Sequence, residues 1–285
     1  MPQVQWFPGH MAKARRQMEE NLKKVDFIIE IRDARMPKSS ENPLLKELAG
    51  SKPRLILLSK KDKADPAQTE KWIASLGKKD QSVMAVDFLH DNLKKQLISR
   101  SLELNQPLIE KQKRRGMKPR ALRAMVVGIP NVGKSTMINT LAKRKAAQTG
   151  DKPGVTKSLQ WIKLTGELEL LDTPGVLWPK FDDPQSGLVL AALGSVKDEV
   201  VQMEELAIYC CQYLMDHHPG ALMKAYGLDH LEETPYETLR AIGTKRGWLM
   251  KGDVDETAPC ARSFRTSART DLAASPGRNA NEVGS

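Results

Sequence analysis

Apolar residues recur at spacings of three and four through residues 10–24, HMAKARRQMEENLKK, where Met11, Ala14, Met18 and Leu22 share one face. That spacing predicts a basic amphipathic helix. The period then changes. Phe27-Ile28-Ile29 in DFIIEIRDAR and Leu55 to Leu58 in RLILLSKKD are apolar runs of buried-strand length, as are SVMAV at 82–86 and the strand within RAMVVGIP. Between them ENPLLKELAG predicts a short helix ending at Gly50, and Met137, Ile138 and Leu141 share one face of a helix starting at Lys134. LQWIKL and ELELLD predict a hairpin turning at Thr165-Gly166. Strands alternating with helices indicate an α/β domain built on a mainly parallel sheet.

After Trp178 the strand pattern stops. DEVVQMEELAIYCCQYLMDH reads as a helix, and TPYETLRAIGTKRG opens with a capping box from Thr234 to Glu237. A small all-helical domain is therefore expected over 179–253, joined to the α/β domain of 1–178 by the proline-containing stretch PKFDDPQ. From 254 to 285 the large apolar residues are only Val254, Phe264, Leu272 and Val283. Such a segment buries too little to offset its ordering entropy, so disorder is expected there.

Net charge is +10, unevenly spread. Residues 1–178 hold 34 Lys+Arg against 19 Asp+Glu, whereas 179–251 hold 7 against 11. A basic excess confined to one part favours a polyanionic partner, and the run 111–123, KQKRRGMKPRALR, is the expected RNA-phosphate contact. No stretch approaches the ~20 apolar residues of a membrane span. The start MPQVQWFPGHM lacks the charged and apolar regions of a signal peptide. Three cysteines, two of them adjacent, form neither a disulfide framework nor a zinc pattern. These features predict a cytoplasmic protein with reduced thiols and no membrane partner.

Residues 128–135, GIPNVGKS, match G-x-x-x-x-G-K-[ST] after a predicted strand and before a predicted helix, the context this phosphate-binding loop requires. Its glycines let backbone N–H groups face phosphate oxygens, with Asn131, Val132, Gly133 and Thr136 in the binding set. Lys134 supplies a cation between the last two phosphates, and Ser135 offers a hydroxyl to Mg²⁺. Asp172 ends an apolar strand, the place for a carboxylate that holds the magnesium shell through water. Gly175 brings its N–H to the γ-phosphate, and Thr156 in PGVT is placed to close over metal and phosphate. SKKD at 59–62 follows a buried strand. There Asp62 can accept from the two donors that guanine has and adenine lacks, with the Lys60 stem over the base and Ser59 and Lys61 beside it. The residue after Gly175 is Val176, whose side chain has no polar atom. A water-orienting group must come from elsewhere, and His10, presented by an expected turn at Pro8-Gly9, is the candidate.

The guanine motif precedes the phosphate loop, the reverse of the usual order, so the domain is read as circularly permuted. With WFPGHM, DARMP, GIPNVGKS, PGVT and DTPG in this order, residues 4–250 resemble the ribosome biogenesis GTPase A (YlqF/RbgA) family of circularly permuted GTPases. The resemblance implies a particle-stimulated GTPase that uses GTP/GDP and Mg²⁺ in late assembly of the large ribosomal subunit. It further implies an RNA-binding helical domain, precursor rRNA as partner, a monomer, and His10, Thr156 and Lys134 in catalysis. K⁺ held through Asn131 and a second base contact around Val86 and Asp87 are also implied. The sequence departs from the family at Ser59, where an asparagine is usual, at the loop around Val86-Asp87, and after Asp255, where the family's Arg-Gly segment is absent. The competing reading is an RNA-binding assembly chaperone with a vestigial nucleotide site, for which Val176 and Ser59 speak.

Overall fold

The computed structural model describes residues 8–118, 120–143, 159–177, 184–196 and 202–247. Thr156, residues 179–183 of the expected joining stretch and the tail from 254 lie outside these residues, while the last two residues of that stretch, Pro184 and Gln185, open a helix. Six strands form one sheet: β1 (Phe27–Asp33), β2 (Arg54–Ser59), β3 (Gln81–Val86), β4 (Leu122–Val127), β5 (Gln160–Lys163) and β6 (Leu168–Asp172). Their order across the sheet is β3-β2-β1-β4-β6-β5. All neighbours are parallel except the β5–β6 hairpin. Helices α1 (Pro8–Leu22), α2 (Pro43–Ala49), α3 (Pro66–Leu76), α4 (Leu93–Leu104), α5 (Gln106–Arg114) and α6 (Lys134–Ala142) belong to this α/β part.

The alternation along β2 shows how the sheet is covered. Leu55 and Leu57 join the large cluster that includes Leu93 and Leu97 of α4. Ile56 and Leu58 point the other way, into a smaller cluster with Trp72 of α3. Both faces are therefore buried, which is why β2 reads as a continuous apolar run.

Strand β1 is longer than its apolar run. It continues through Glu30, Arg32 and Asp33, all buried. Burying these charges requires partners. Arg32 donates to Glu30 at 2.7 Å and to Glu41 at 2.9 Å, and Arg35 pairs with Asp33 at 2.7 Å. Helix α1 begins at Pro8, so Pro8 and Gly9 form its first turn rather than the separate turn expected. Proline suits this position because its missing N–H has no intrahelical partner there. Helices α3 and α4 pack on the sheet, α3 against β3 and α4 against β2 and β3, whereas α5 packs against α4 and fully buries none of its residues.

Helices α7 (Pro184–Ala192), α8 (Met203–His217), α9 (Pro219–Tyr226) and α10 (Pro235–Arg246) follow. The described residues of this region contain no strand. Leu190, Leu206, Cys210, Leu214, Leu222 and Ile242 belong to the same hydrophobic cluster as the sheet. Helix α10 starts at the expected capping box: the Thr234 hydroxyl accepts from Glu237 N, and the Glu237 carboxylate returns to Thr234 N. Cys210 and Cys211 are buried free thiols. No helix among the described residues is long and apolar enough to cross a membrane. Thr234→Ala is expected to cost ~1 kcal/mol through loss of the cap, read as a lower urea midpoint.

Candidate nucleotide site

The sheet order locates a crevice before any motif is considered. From β1 the chain runs through α2 to β2 on one side; from β4 it runs through α6 and the hairpin to β6 on the other. The carboxyl ends of β1 and β4 thus flank a topological switch point, where open α/β sheets take their ligands. The phosphate loop leaves β4 at this point. Gly128 has φ +155°, and a Cβ there would lie 2.6 Å from the Ile31 carbonyl oxygen of β1, so only glycine lets the loop pass this close.

Lys134 opens α6 and is buried. Its Nζ donates to the carbonyls of Gly128 at 3.0 Å and Ile129 at 2.8 Å. Burial lowers its pKa to about 8, against the opposing pull of Asp172. Asp172 closes β6 and is also buried. Burial raises its carboxyl to about 6, opposed by Lys134 and by a hydrogen bond from the Thr173 backbone. Its Oδ1 has no hydrogen-bond partner among the described residues. A buried carboxylate oxygen in that condition fits a divalent cation or its bound water. Ser135, half-buried in the first turn of α6, carries the second suitable oxygen.

The DTPG segment is set against the loop by two contacts. Thr173 donates its hydroxyl to the Val126 carbonyl at 2.7 Å. A Cβ on Gly175 would lie 2.9 Å from Lys134 Nζ and 2.9 Å from both N and Cα of Pro130. The Gly175 backbone therefore passes directly over the lysine. Val176 is 4% exposed and joins the large apolar cluster, so its side chain faces the core and no water. Its carbonyl accepts from Asn42 Nδ2 at 2.6 Å, while Asn42 Oδ1 caps α2 by accepting from Leu44 N.

The SKKD residues divide their labour. Ser59 is fully buried, with its hydroxyl 2.7 Å from the Val132 carbonyl and 3.0 Å from that of Arg32. It braces the phosphate loop from below. Lys60 takes a left-handed conformation at φ 58° and donates to the Asn131 carbonyl and to Asp33 Oδ2, both at 3.0 Å. Lys61 pairs with Asp91 at 2.6 Å. Asp62 is exposed at the carboxyl edge of the sheet. Val86 is buried; Asp87 Oδ1 accepts from Leu89 N, and Oδ2 lies 2.5 Å from His90 Nδ1. Burial would raise the Asp87 carboxyl, but the bonds from His90 and Leu89 hold it below its ordinary value. The loop after β3 is thus closed on itself beside Asp62. Asn131 has φ 60°, and its amide donates to the Gly194 carbonyl, after α7, at 2.6 Å. Its side-chain amide oxygen has the chemistry to ligate a cation, which the amide nitrogen lacks.

Asp33 and Arg35 stand in the DARMP motif, but the sequence assigns them no role, and it gives none to Asn42 and Phe88. Burial would raise the Asp33 carboxyl, yet Lys60 and Arg35 outweigh it and hold the group well below the usual carboxylate range. Through Lys60 this carboxylate steadies the phosphate loop. Phe88 packs under Gly133, 3.0 Å from where a Cβ would stand. The Asn42-Pro43 pair is a legible helix start, but nothing local points to its reach to Val176. His10 lies in the first turn of α1; its side chain, like Thr156, is outside the described residues.

A family model described as "50S ribosome-binding GTPase" matches residues 123–234. "Ribosome biogenesis GTPase A" of Priestia megaterium is 49% identical over 92% of this chain and 93% of its own. The chain belongs to the ribosome biogenesis GTPase A family. As a member it is a GTPase and binds a guanine nucleotide. "Mitochondrial ribosome-associated GTPase 1" of Mus musculus is 39% identical, covering 79% of this chain and 71% of its own. The crystal structure of GNP-bound YlqF from T. maritima superposes with a TM-score of 0.60 at 26% identity, over 92% of this chain and 95% of that one. The permuted motif order of this family agrees with the sheet, where β2, carrying SKKD, comes earlier in the chain than β4, carrying the phosphate loop.

Two substitutions test this geometry. Gly175→Ala places a methyl against backbone and lysine, and is expected to lower GTP turnover roughly 10²-fold through misplacement of the reacting groups. GDP affinity should stay within about threefold, less than ~1 kcal/mol. Asp33→Asn removes the anion shared by Arg35 and Lys60 and is expected to cost about 3 kcal/mol near neutral pH. Because the folded pKa of Asp33 is depressed, its contribution is present above the unfolded value and is lost as pH falls through the folded one. The gap in urea midpoint between wild type and Asp33→Asn should therefore narrow in acid.

Proposed function

We propose that this chain hydrolyses GTP on the maturing large ribosomal subunit, in a late assembly step, as a cytoplasmic monomer that contacts precursor rRNA. The observation that carries the chemistry is the meeting of Lys134, the unpartnered Asp172 oxygen and the Gly175 backbone at the mouth of the β1/β4 crevice. Ser135 and Asp172, with Thr156 from the segment between β4 and β5, would hold Mg²⁺, Asp172 through water. A cation held by these residues would supply positive charge against the charge that develops on the phosphates during transfer. Lys134 supplies the fixed cation and the Gly175 N–H a donor to the γ-phosphate. The phosphate cradle comprises Asn131, Val132, Gly133, Lys134, Ser135 and Thr136. The Asn131 side-chain oxygen would take K⁺. Asp62 selects guanine, aided by Lys60, Lys61 and the loop at Val86-Asp87, while Ser59 supports the cradle.

The particle assignment rests on the relatives' names and on the charge distribution. Helix α5 and the turn after it expose Lys111, Lys113, Arg114, Arg115 and Lys118. Arg120 and Arg123 of the same run are also exposed, but they pair with Asp26 at 2.7 Å and Glu169 at 3.0 Å. The helices of 179–253 are proposed as a second RNA-binding unit.

Val176 faces the core, so the attacking water needs another partner. Helix α1 packs against α2, whose N-cap Asn42 holds the Val176 carbonyl. This chain of contacts ties the helix bearing His10 to the DTPG segment. An imidazole can accept a proton or align water near neutral pH. His10→Ala is expected to leave GTP affinity and particle binding intact and to lower particle-stimulated turnover by roughly 10²-fold or more. Steady-state turnover with and without purified large-subunit precursors measures this. Stimulated turnover in the mutant within about threefold of wild type overturns the role of His10.

A further inference from the structure

Among the described residues only four large hydrophobics are exposed: Leu89, Met117, Trp161 and Tyr236. Trp161 differs from the other three in its surroundings. It lies on β5, the edge strand of the sheet, and is 40% exposed. The Arg123 guanidinium stands over its ring, 5.3 Å from the centroid. Arg123 is held in place by Glu169 at 3.0 Å.

The register shows how this group is built. Glu169 of β6 is the partner of Lys163 on β5 and of Arg123 on β4. Trp161 is two residues from Lys163 and so shares its face of the sheet. An indole flanked by two cations results, with one carboxylate neutralising one of them. Neither the nucleotide crevice nor the DTPG segment uses these residues: they lie on the edge hairpin and at the start of β4, and the crevice lies at the carboxyl ends of β4 and β1.

We propose that Trp161, with Arg123 and Lys163, is a stacking platform for one unpaired base of a single-stranded RNA segment. The proposal rests on the reading that this protein contacts rRNA, and it names where and how. With Arg123 over one side of the ring, a nucleobase stacks on the other, and Lys163 takes an adjoining phosphate. The base must already be out of a helix, so a loop, bulge or open end is the target rather than a duplex. Lys118, exposed just before β4, adds to the positive charge of the run that leads into this strand. A peptide adding to the edge strand is the competing occupant. The four-residue length of β5 and the cationic surroundings disfavour it.

The test uses the full chain, a labelled single-stranded oligoadenylate, and an RNA duplex of equal length. Trp161→Ala is expected to weaken single-strand binding roughly 5- to 100-fold, the effect of losing one stacked base. Trp161→Phe should restore binding to within about threefold. Duplex affinity, GTP affinity and the salt dependence of binding should not change, because no charge is removed. Single-strand binding unchanged in Trp161→Ala overturns the proposal. So does an equal loss for strand and duplex, which would mark a charge or folding effect. Loss of binding to the ribosomal particle with RNA affinity untouched would assign the surface to a protein partner instead. Failure of the wild-type chain to bind either RNA would overturn the rRNA reading itself, a result distinct from a failure of Trp161 alone.

Discussion

A buried ammonium group organises the nucleotide site. Lys134 sits out of solvent at the start of α6, and such a charge is tolerated only when neighbouring groups answer it. The carbonyls of Gly128 and Ile129 do so directly, and Asp172 does so through the field. For the carbonyls to reach inward, the loop must wrap tightly. That wrapping brings Gly128 against Ile31 and Pro130 against Gly175. The close approaches that exclude side chains at both glycines follow from placing one cation where phosphates are to bind. Beside this cation, the buried Asp172 keeps one carboxylate oxygen without a hydrogen-bond partner among the described residues, a condition that a bound cation would relieve.

Around this centre, polar side chains carry connections that apolar packing cannot specify. Asn42 ties the N-terminus of α2 to the DTPG segment, and Asn131 ties the phosphate loop to the turn after α7. Asp33 anchors Lys60, which in turn holds the carbonyl of Asn131. The Asn131 and Lys60 links join segments far apart in the chain to the phosphate loop, and the Asn42 link joins α2 to DTPG. These bonds connect the DTPG segment to α2 and the phosphate loop to the turn after α7. The continuous hydrophobic cluster through sheet and helices gives those connections a common base.

The apolar runs of β2 and β4, the phosphate loop between strand and helix, and the capping box at Thr234 were all legible because their signals are local. A strand buried on both faces must be apolar throughout, a loop that cradles phosphate must carry glycine at set places, and a cap needs its partner three residues on. The charged half of β1 was not legible. Glu30, Arg32 and Asp33 look like a solvated turn until Glu41, Arg35 and Lys60 are brought to them. Pro8-Gly9 looked like a turn because the two residues are turn formers, whereas position N1 of a helix accepts proline equally well.

The sequence by itself determined the motifs of this protein: a strand–loop–helix phosphate-loop motif, DTPG after an apolar strand, SKKD after a buried strand, and their permuted order. These depend on residue type and short spacing, which a chain carries openly. Tertiary structure alone decided which side chains brace those motifs. Ser59 bonds the phosphate loop and Val176 faces the core; Asn42, Asp33 and Asn131 reach across the fold, and Trp161 meets Arg123 on a sheet edge. Those pairings join residues with no fixed spacing in the chain, brought together because β1, β4 and β6 lie side by side.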